Sequence, residues 1–356
     1  MQLIINQHVK NELHLVEVNP VDEDFSNRKD IWKDDPMRLL CTQVPDKSVL
    51  VAEGVINENH TEENYKRIEQ INLCQSYDRI IFCVWMGNAD KLLETCTKYE
   101  IKIPFYIVTS CIRYYKSKNP KIIFFPEEEL HAIHYPIIPQ INPTKKFSCL
   151  NSNKWSHRIL TYIHLYSKPY FDEIIFSWGR QTGYSLDFLD QEDFINDIVI
   201  TDEEKIKLAS MPQRILAHPE DDKEYNDRTT NHIAYTDACL NIVTETRSRN
   251  INARLTEKTF KPIVAGQFFI IIGSKGIVDY VRLLGFDVFD DIIDHSYDTI
   301  VDDRLRIKTV IEEIDRLNEL NLIQLHQQSK NRFVKNQRHL KSKELINQFP
   351  PMEFPV

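Results

Sequence analysis

The chain has 356 residues, 42% hydrophobic and 27% charged, so it holds enough apolar material for a sizeable core and fits two domains better than one. Its formal net charge is −9 and its sequence pI about 5.8, which argues against a broad nucleic-acid footprint and leaves room for a local basic groove. With 8 glycines, no GxGxxG and no Walker-type loop, glycine-rich phosphate cradles are not its main device.

The first half alternates strand and helix patterns. "SVLVAEGV" reads as a strand, and "TEENYKRIEQINLCQ" has helical spacing with Thr61 as N-cap; Asn64 stands where a capping box needs Glu or Gln. "RIIFCVW" is a fully apolar strand, "ADKLLETCTKYE" a helix, "IPFYIVTS" a buried strand, and "KIIFF" a further strand. This alternation is the signature of a parallel sheet covered on both faces. Pro136, Pro139 and Pro143 lie close together in "YPIIPQINPTKK", which marks a linker.

Beyond it the pattern restarts. "KFSCL" is a strand and "NKWSHRILTYIHLYS" a helix, with Trp155, Ile159, Leu160, Ile163 and Tyr166 on one face. "DEIIFSW" is a strand, "TDEEKIKLASM" a short helix starting at Thr201, and "CLNIVTET" an apolar strand. "QFFIIIG" reads as a central strand, and "SKGIVDYVRLLG" as a helix closed by Gly285. Residues 302–337 carry one long helical pattern. The expected architecture is α/β. It comprises an N-terminal domain over 1–145, a C-terminal domain over 146–330, and a C-terminal helix and tail over 331–356. Ligands of such sheets bind outside the carboxyl ends of the strands.

The stretch "RLTEKTFKPIVAGQFFIIIG" sets charge directly before core. Thr256 suits an N-cap, with Glu257 and Lys258 as the first two helical residues. A lysine opposes the dipole there, unless an anion sits opposite. A solvated helix start is the alternative. Pro262 inside a helix costs ~3 kcal/mol, so the segment is either a short kinked helix or one that begins near Pro262.

The segments "LTEKTFKPIVAGQFFII" and "LLGFDVFDDIIDHSYD" resemble blocks of a family of viral and phage glycosyltransferases, with more distant similarity to the α-1,3-fucosyltransferases. "FSCLNSNKWSHRILTYIHL" is similar to a second family block, so the resemblance covers roughly residues 146–305. It implies two Rossmann-like domains facing a cleft, of the GT-B type. It also implies transfer of a sugar from a nucleotide-sugar donor to an acceptor hydroxyl. Glu257 would bind the ribose hydroxyls, Lys258 the diphosphate, and Arg158 would be the second diphosphate cation. The family's Arg-Pro-rich run reads "NSNKWSHR" here, so Arg158 is retained without neighbouring cations. Thr256 as helix cap and Arg254 just before it count with the donor-binding residues. Glu245, at the end of "VTET", could face sugar hydroxyls or pair with Arg247 or Arg249. His218, in "ILAHPEDD", could line the cleft or be a plain loop residue. Tyr297 and Asp298 belong to the third block and shape the site from below, or serve as core packing and a turn acid.

The catalytic base is read as Glu53, at the end of the strand in "LVAEGVINEN", where a carboxylate can deprotonate an acceptor hydroxyl. A simple loop acid is the alternative, and Glu63 and Asp90 are weaker rivals. His131 and His134 form an H-x-x-H without a third ligand. The acidic pairs Asp34-Asp35, Asp221-Asp222, Asp290-Asp291 and Asp302-Asp303 read as solvated acids, and Asp22-Glu23-Asp24 lies outside the donor half. No cofactor and no metal is expected, only the nucleotide sugar. The acceptor is a glycan, a protein or a modified DNA base. The basic run "KNRFVKNQRHLKSK" is a solvated face or a nucleic-acid contact. A non-catalytic relative that binds a sugar nucleotide or glycan is the reading from another class. The 7 cysteines are odd in number with no CxxC, which fits reduced buried thiols. "MQLIINQHVKNELHLVEV" has no basic n-region before a long apolar run, and runs such as "IIFCVWM" are too short to span a bilayer. A cytoplasmic protein without a membrane span is expected.

Overall fold

The computed structural model describes residues 2–4, 15–16, 48–51, 79–84, 88–138, 141–151, 155–178, 198–212, 233–246, 248 and 253–349. The chain is α/β, with two Rossmann-like units, Met1–His131 with Phe349–Val356, and Ala132–Gln348. No described helix is long and apolar enough to cross a membrane. The helix expected over residues 61–75 lies outside the described residues.

The first unit holds β1 (Gln2–Ile4), β2 (Leu15–Val16), β3 (Ser48–Val51), β4 (Arg79–Val84), β5 (Phe105–Thr109) and β6 (Ile122–Phe124), in the order β2-β1-β3-β4-β5-β6. All neighbours are parallel except β1 and β2. Each parallel strand is added on the same side of the last, so strand order does not reverse among them. The apolar face of α1 (Ala89–Lys98), Ala89, Leu92 and Cys96, packs with Ile80, Phe82, Phe105 and Ile107. Asn88 caps the helix through the N–H groups of Asp90 and Lys91 at 3.1 and 3.4 Å. The short helix α2 (Glu127–Ala132) follows β6.

The second unit carries an all-parallel sheet of β7 (Lys145–Asn151), β8 (Ile175–Trp178), β9 (Ala238–Thr244) and β10 (Phe268–Ile272), ordered β10-β9-β7-β8. Strand β10 is therefore at the edge of the described sheet, not central as its apolar run suggests. An unbroken apolar run reports burial on both faces and says nothing about lateral position. The edge is covered instead by rings, with Phe289 and Phe333 packed edge-on against Phe268 at 4.9 and 5.0 Å.

From β7 the chain crosses to β8 on one side and later to β9 on the other. Right-handed crossovers in opposite directions place their helices on opposite faces. One group is α3 (Ser156–Tyr166), α4 (Asp202–Ser210) and α8 (Asp303–Asn318), packed on one another. The other is α5 (Ile233–Thr236), α6 (Glu257–Ala265), α9 (Leu322–Gln328) and α10 (Lys330–Leu340), packed on β7, β9, β10 and each other. Helix α7 (Ile277–Leu283) follows β10, and α11 (Lys343–Asn347) is the last described helix. Helix α3 is buried nearly all round, because α4 and α8 cover its outer side; Tyr166, expected on the core face, is 37% exposed. Tyr162 takes the core position, stacked on Phe176 at 4.9 Å and tilted on Trp178 at 5.0 Å. Helix α4 starts on the capping box of Thr201 and Glu204.

The single helical pattern over 302–337 is three helices, broken at 319–321 and at Ser329. Asn321 caps the second piece through the Gln324 N–H at 3.2 Å. A side chain that competes for backbone hydrogen bonds ends one helix and starts the next. The basic run is not a bare solvated face, although Lys335, Arg338 and Lys343 are exposed. Phe333, Asn336 and Leu340 are buried, Arg332 forks onto Asp287 and Asp291, and Lys341 donates to the carbonyls of Ile133 and Tyr135. Buried Tyr135 and Ile141 show the proline-bearing segment packed as part of the second unit.

Gly285 follows α7 at φ +90°, and a Cβ there would come within 2.8 Å of the His339 ring, whose Nε2 donates to Leu284 O at 2.7 Å. Gly285→Ala is expected to destabilise the protein by about 1–3 kcal/mol. Chemical denaturation of the two proteins measures it, and an unchanged midpoint would refute the assignment.

Candidate functional site

Because β7 lies between β8 and β9, strand order in the second unit reverses there. A reversal leaves a crevice at the carboxyl ends, where the flanking helices depart on opposite faces. Two helix N-termini stand at this edge: α3, which follows β7, and α6, which follows β9. The family-like residues of both blocks meet here, although about a hundred positions separate them along the chain.

The floor is polar and satisfied. Thr244 Oγ1 donates to Asn151 Oδ1 at 2.5 Å across the β7–β9 pair. Deeper in, Asn241 Nδ2 donates to Ser148 Oγ at 3.0 Å, and Ser148 Oγ to Ala234 O at 2.9 Å. Such pairing is required, because an unpartnered buried polar group costs ~1–3 kcal/mol.

Glu245 follows β9 and is fully buried, with its N–H still in the ladder to Ile272 O at 2.9 Å. Its carboxylate accepts Thr256 Oγ1 at 2.5 Å, Thr259 Oγ1 at 2.6 Å, and the N–H groups of Thr256 and Thr246, each at 3.2 Å. Its main-chain carbonyl accepts His157 Nε2 at 2.7 Å and Arg158 Nη2 at 3.0 Å. Arg158 also donates to Thr244 O at 3.1 Å and is 1% exposed. Arg158 is thus a buried charge beneath the strand ends, held by carbonyls.

Helix α6 starts where its sequence places it. Thr256 is the N-cap, and its Oγ1 accepts the Lys258 N–H at 3.4 Å. The helix then runs unbroken through Pro262 to Gly266, which closes it in the left-handed conformation. Phe260, Ile263 and Val264 are buried, worth about 1.5–3 kcal/mol each. Together they outweigh the ~3 kcal/mol that Pro262 costs. Lys258 keeps its side chain partly exposed. Its Nζ pairs with Glu257 and donates to Thr246 Oγ1 at 3.2 Å and Thr256 Oγ1 at 3.3 Å. Burial alone would raise the Glu257 carboxyl; the Lys258 ammonium, Lys261 and its own backbone N–H together hold it below its ordinary value. Arg254 lies just ahead, half-buried.

The sequence reading did not single out Thr246, Thr259 or Asn151. Their only sequence signal is a hydroxyl or amide just past an apolar strand, or one helical turn after the cap. Glu53, Glu63, His218, Arg247 and Arg249 lie outside the described residues. Asp90 is exposed and pairs with Arg113 at 2.6 Å. Tyr297 is core, its hydroxyl accepting the Ile271 N–H at 3.3 Å, and Asp298 accepts the Asp279 N–H at 3.0 Å in the first turn of α7. Of the acidic pairs, Asp290 is bound to Arg282, Asp291 to Arg332 and Asp303 to Arg306, and Asp302 caps α8. Among the described residues no group of three or more His, Cys, Asp and Glu could hold a metal ion, and Cys83, Cys96, Cys111, Cys149 and Cys239 are buried. A cavity of about 380 Å³ lies elsewhere, between Arg282, Arg316 and residues 290–296. Its arginines are already neutralised by Asp279, Asp290 and Glu313.

No protein-family model matches the chain, and no curated protein does so significantly. Among solved structures, it is similar to a DNA-modifying β-glucosyltransferase studied with and without uridine diphosphoglucose. That match has 10% identity, covers 85% of this chain and 79% of that one, and has a TM-score of 0.41. It is also similar to the apo form of OtsA, at 11% identity over 95% and 80% of the two chains, with a TM-score of 0.42. A GtfA/B complex aligns at 12% identity over 88% and 58%, with a TM-score of 0.33. Likeness at this level carries no functional weight, which rests on the residues of the crevice.

The Glu257 carboxyl is held below its unfolded value near 4.5, so folding favours its charged form. Its contribution to stability is full above pH 4.5 and is lost as pH falls through the lower folded value. Denaturant midpoints of the wild type and Glu257→Gln should therefore differ at pH 7, and the gap should narrow as pH is lowered below 4.5. A gap that stays constant over that range would contradict the assignment.

Proposed function

We propose that this chain is a metal-independent glycosyltransferase of the GT-B type, moving a sugar from a nucleoside-diphosphate sugar to an acceptor hydroxyl. The observation that carries this reading is the convergence of Lys258 and Arg158 on residues 244–246, at the strand-order reversal of the second unit. The leaving group of such a reaction is a nucleoside diphosphate, whose developing charge must be met by fixed positive groups. A partly exposed ammonium on a helix N-terminus, above a buried guanidinium, supplies them. Lys258 takes the diphosphate. Arg158 adds a permanent positive field from below. Glu257, released from Lys258 by the incoming phosphates, accepts the ribose hydroxyls.

The first unit is assigned to the acceptor, with Glu53 as its base. In an inverting reaction the acceptor oxygen bonds to the sugar's anomeric carbon while its proton passes to the carboxylate. The bond from that carbon to the phosphate oxygen breaks, and its electron pair stays on the diphosphate. For the alternative, a DNA acceptor, the basic run offers exposed Lys335, Arg338 and Lys343, while its Arg332 and Lys341 are engaged within the second unit.

Thermal-shift measurements across nucleoside diphosphates and their sugars test the donor assignment, since a ligand of the folded state raises its melting temperature. At least one of each should do so. Lys258→Ala should weaken that binding about 10–100-fold, the range of a charged hydrogen bond. No shift with any of them, or unchanged binding in Lys258→Ala, would sink the reading. Saturable binding without donor hydrolysis or transfer would instead identify a sugar-nucleotide-binding protein without turnover.

A further inference from the structure

Glu245 is in contact with both cation-bearing helix starts. Its main-chain oxygen receives His157 and Arg158 from the first turn of α3. Its carboxylate receives Thr256 and Thr259 from the first turn of α6, and the N–H of Thr246, whose hydroxyl in turn receives the Lys258 ammonium. Each carboxylate oxygen takes two donors, so all four contacts point into the protein. We propose that Glu245 is a positioning residue that touches no sugar and sets the place of Lys258 through Thr256 and Thr246, beside the Arg158 arm bound to its own carbonyl. This deepens the donor-site reading above and rests on it for its functional consequence, not for its geometry.

The chemistry of the side chain makes the assignment specific. A glutamine amide offers one accepting oxygen and one donating nitrogen. Facing two N–H groups and two hydroxyls, Glu245→Gln must give up at least one N–H contact, that of Thr246 or Thr256, because a hydroxyl can turn to accept from the amide and an N–H cannot, while the volume stays the same. The loss then reaches Lys258 with no cavity to blame.

The test is a double-mutant cycle on the full chain, with UDP, GDP and ADP titrated calorimetrically into wild type, Glu245→Gln, Lys258→Ala and the double variant. Glu245→Gln should weaken the tightest of the three by about tenfold, and by less than about twofold when Lys258 is already alanine, because residues that act through one another are not additive. Equal losses in both backgrounds, or no loss, would overturn the proposal; a purely structural role gives the first of these. If the wild type binds none of the three, the donor reading fails and amide hydrogen exchange decides this inference alone. Exchange at Thr246 or Thr256 should then quicken in Glu245→Gln while Ile242 and Ile270, in β9 and β10, stay protected. Unchanged exchange at both threonines, or a uniform rise through the strands, would refute it. Should Glu245→Gln not fold, Thr259→Val removes one of the same four donors and is judged by the same two measurements.

Discussion

The pairing of β7 with β9 is the contact on which the second unit depends. It reverses the strand order, sends α3 and α6 to opposite faces, and brings their N-termini to one edge. It also forces a polar set into a buried place. Asn151, Thr244 and Glu245 would each be costly there alone, and each is held by a partner from the neighbouring strand or helix. The first unit adds its parallel strands in one direction, so its described sheet has no comparable edge.

Charge at this edge is arranged against helix preference and compensated locally. Lys258 sits at the positive end of α6, where a cation is unfavourable. Glu257 beside it, and the hydroxyls of Thr246 and Thr256, hold the ammonium in place. Arg158 is deeper, and the carbonyls it binds fix its position. A local conflict with propensity, relieved by specific partners, is the pattern expected where a protein keeps a group for chemistry.

The C-terminal helices explain how an edge strand stays dry. Phe333 and Phe289 close on Phe268, and His326 donates to Gly266 O at 2.9 Å, just past the end of α6. Gln337 adds a hydrogen bond to Val264 O at 2.8 Å. The basic run therefore braces the helix that carries the Thr-Glu-Lys block. Its Arg332 and Lys341 are drawn to carboxylates and carbonyls of the same unit.

Read alone, the sequence determined the kind of β3 to β10 and of α1, α3, α4, α6 and α7, the cap at Thr256, the stop at Gly285, and the residues gathered under the family-like blocks. These are local facts: periodicity, cap chemistry and glycine placement act within a few residues. Tertiary structure decided that β10 lies at the edge of the described sheet and that residues 302–337 form three helices. It decided that α6 passes through Pro262, because that balance rests on how deeply Phe260, Ile263 and Val264 are buried. It also decided what Glu245 touches. A carboxylate at a strand end reads equally as a ligand group or a surface acid. Only the fold brings Thr256, Thr259 and the first turn of α3 to it, and burial then leaves it no solvent to bind.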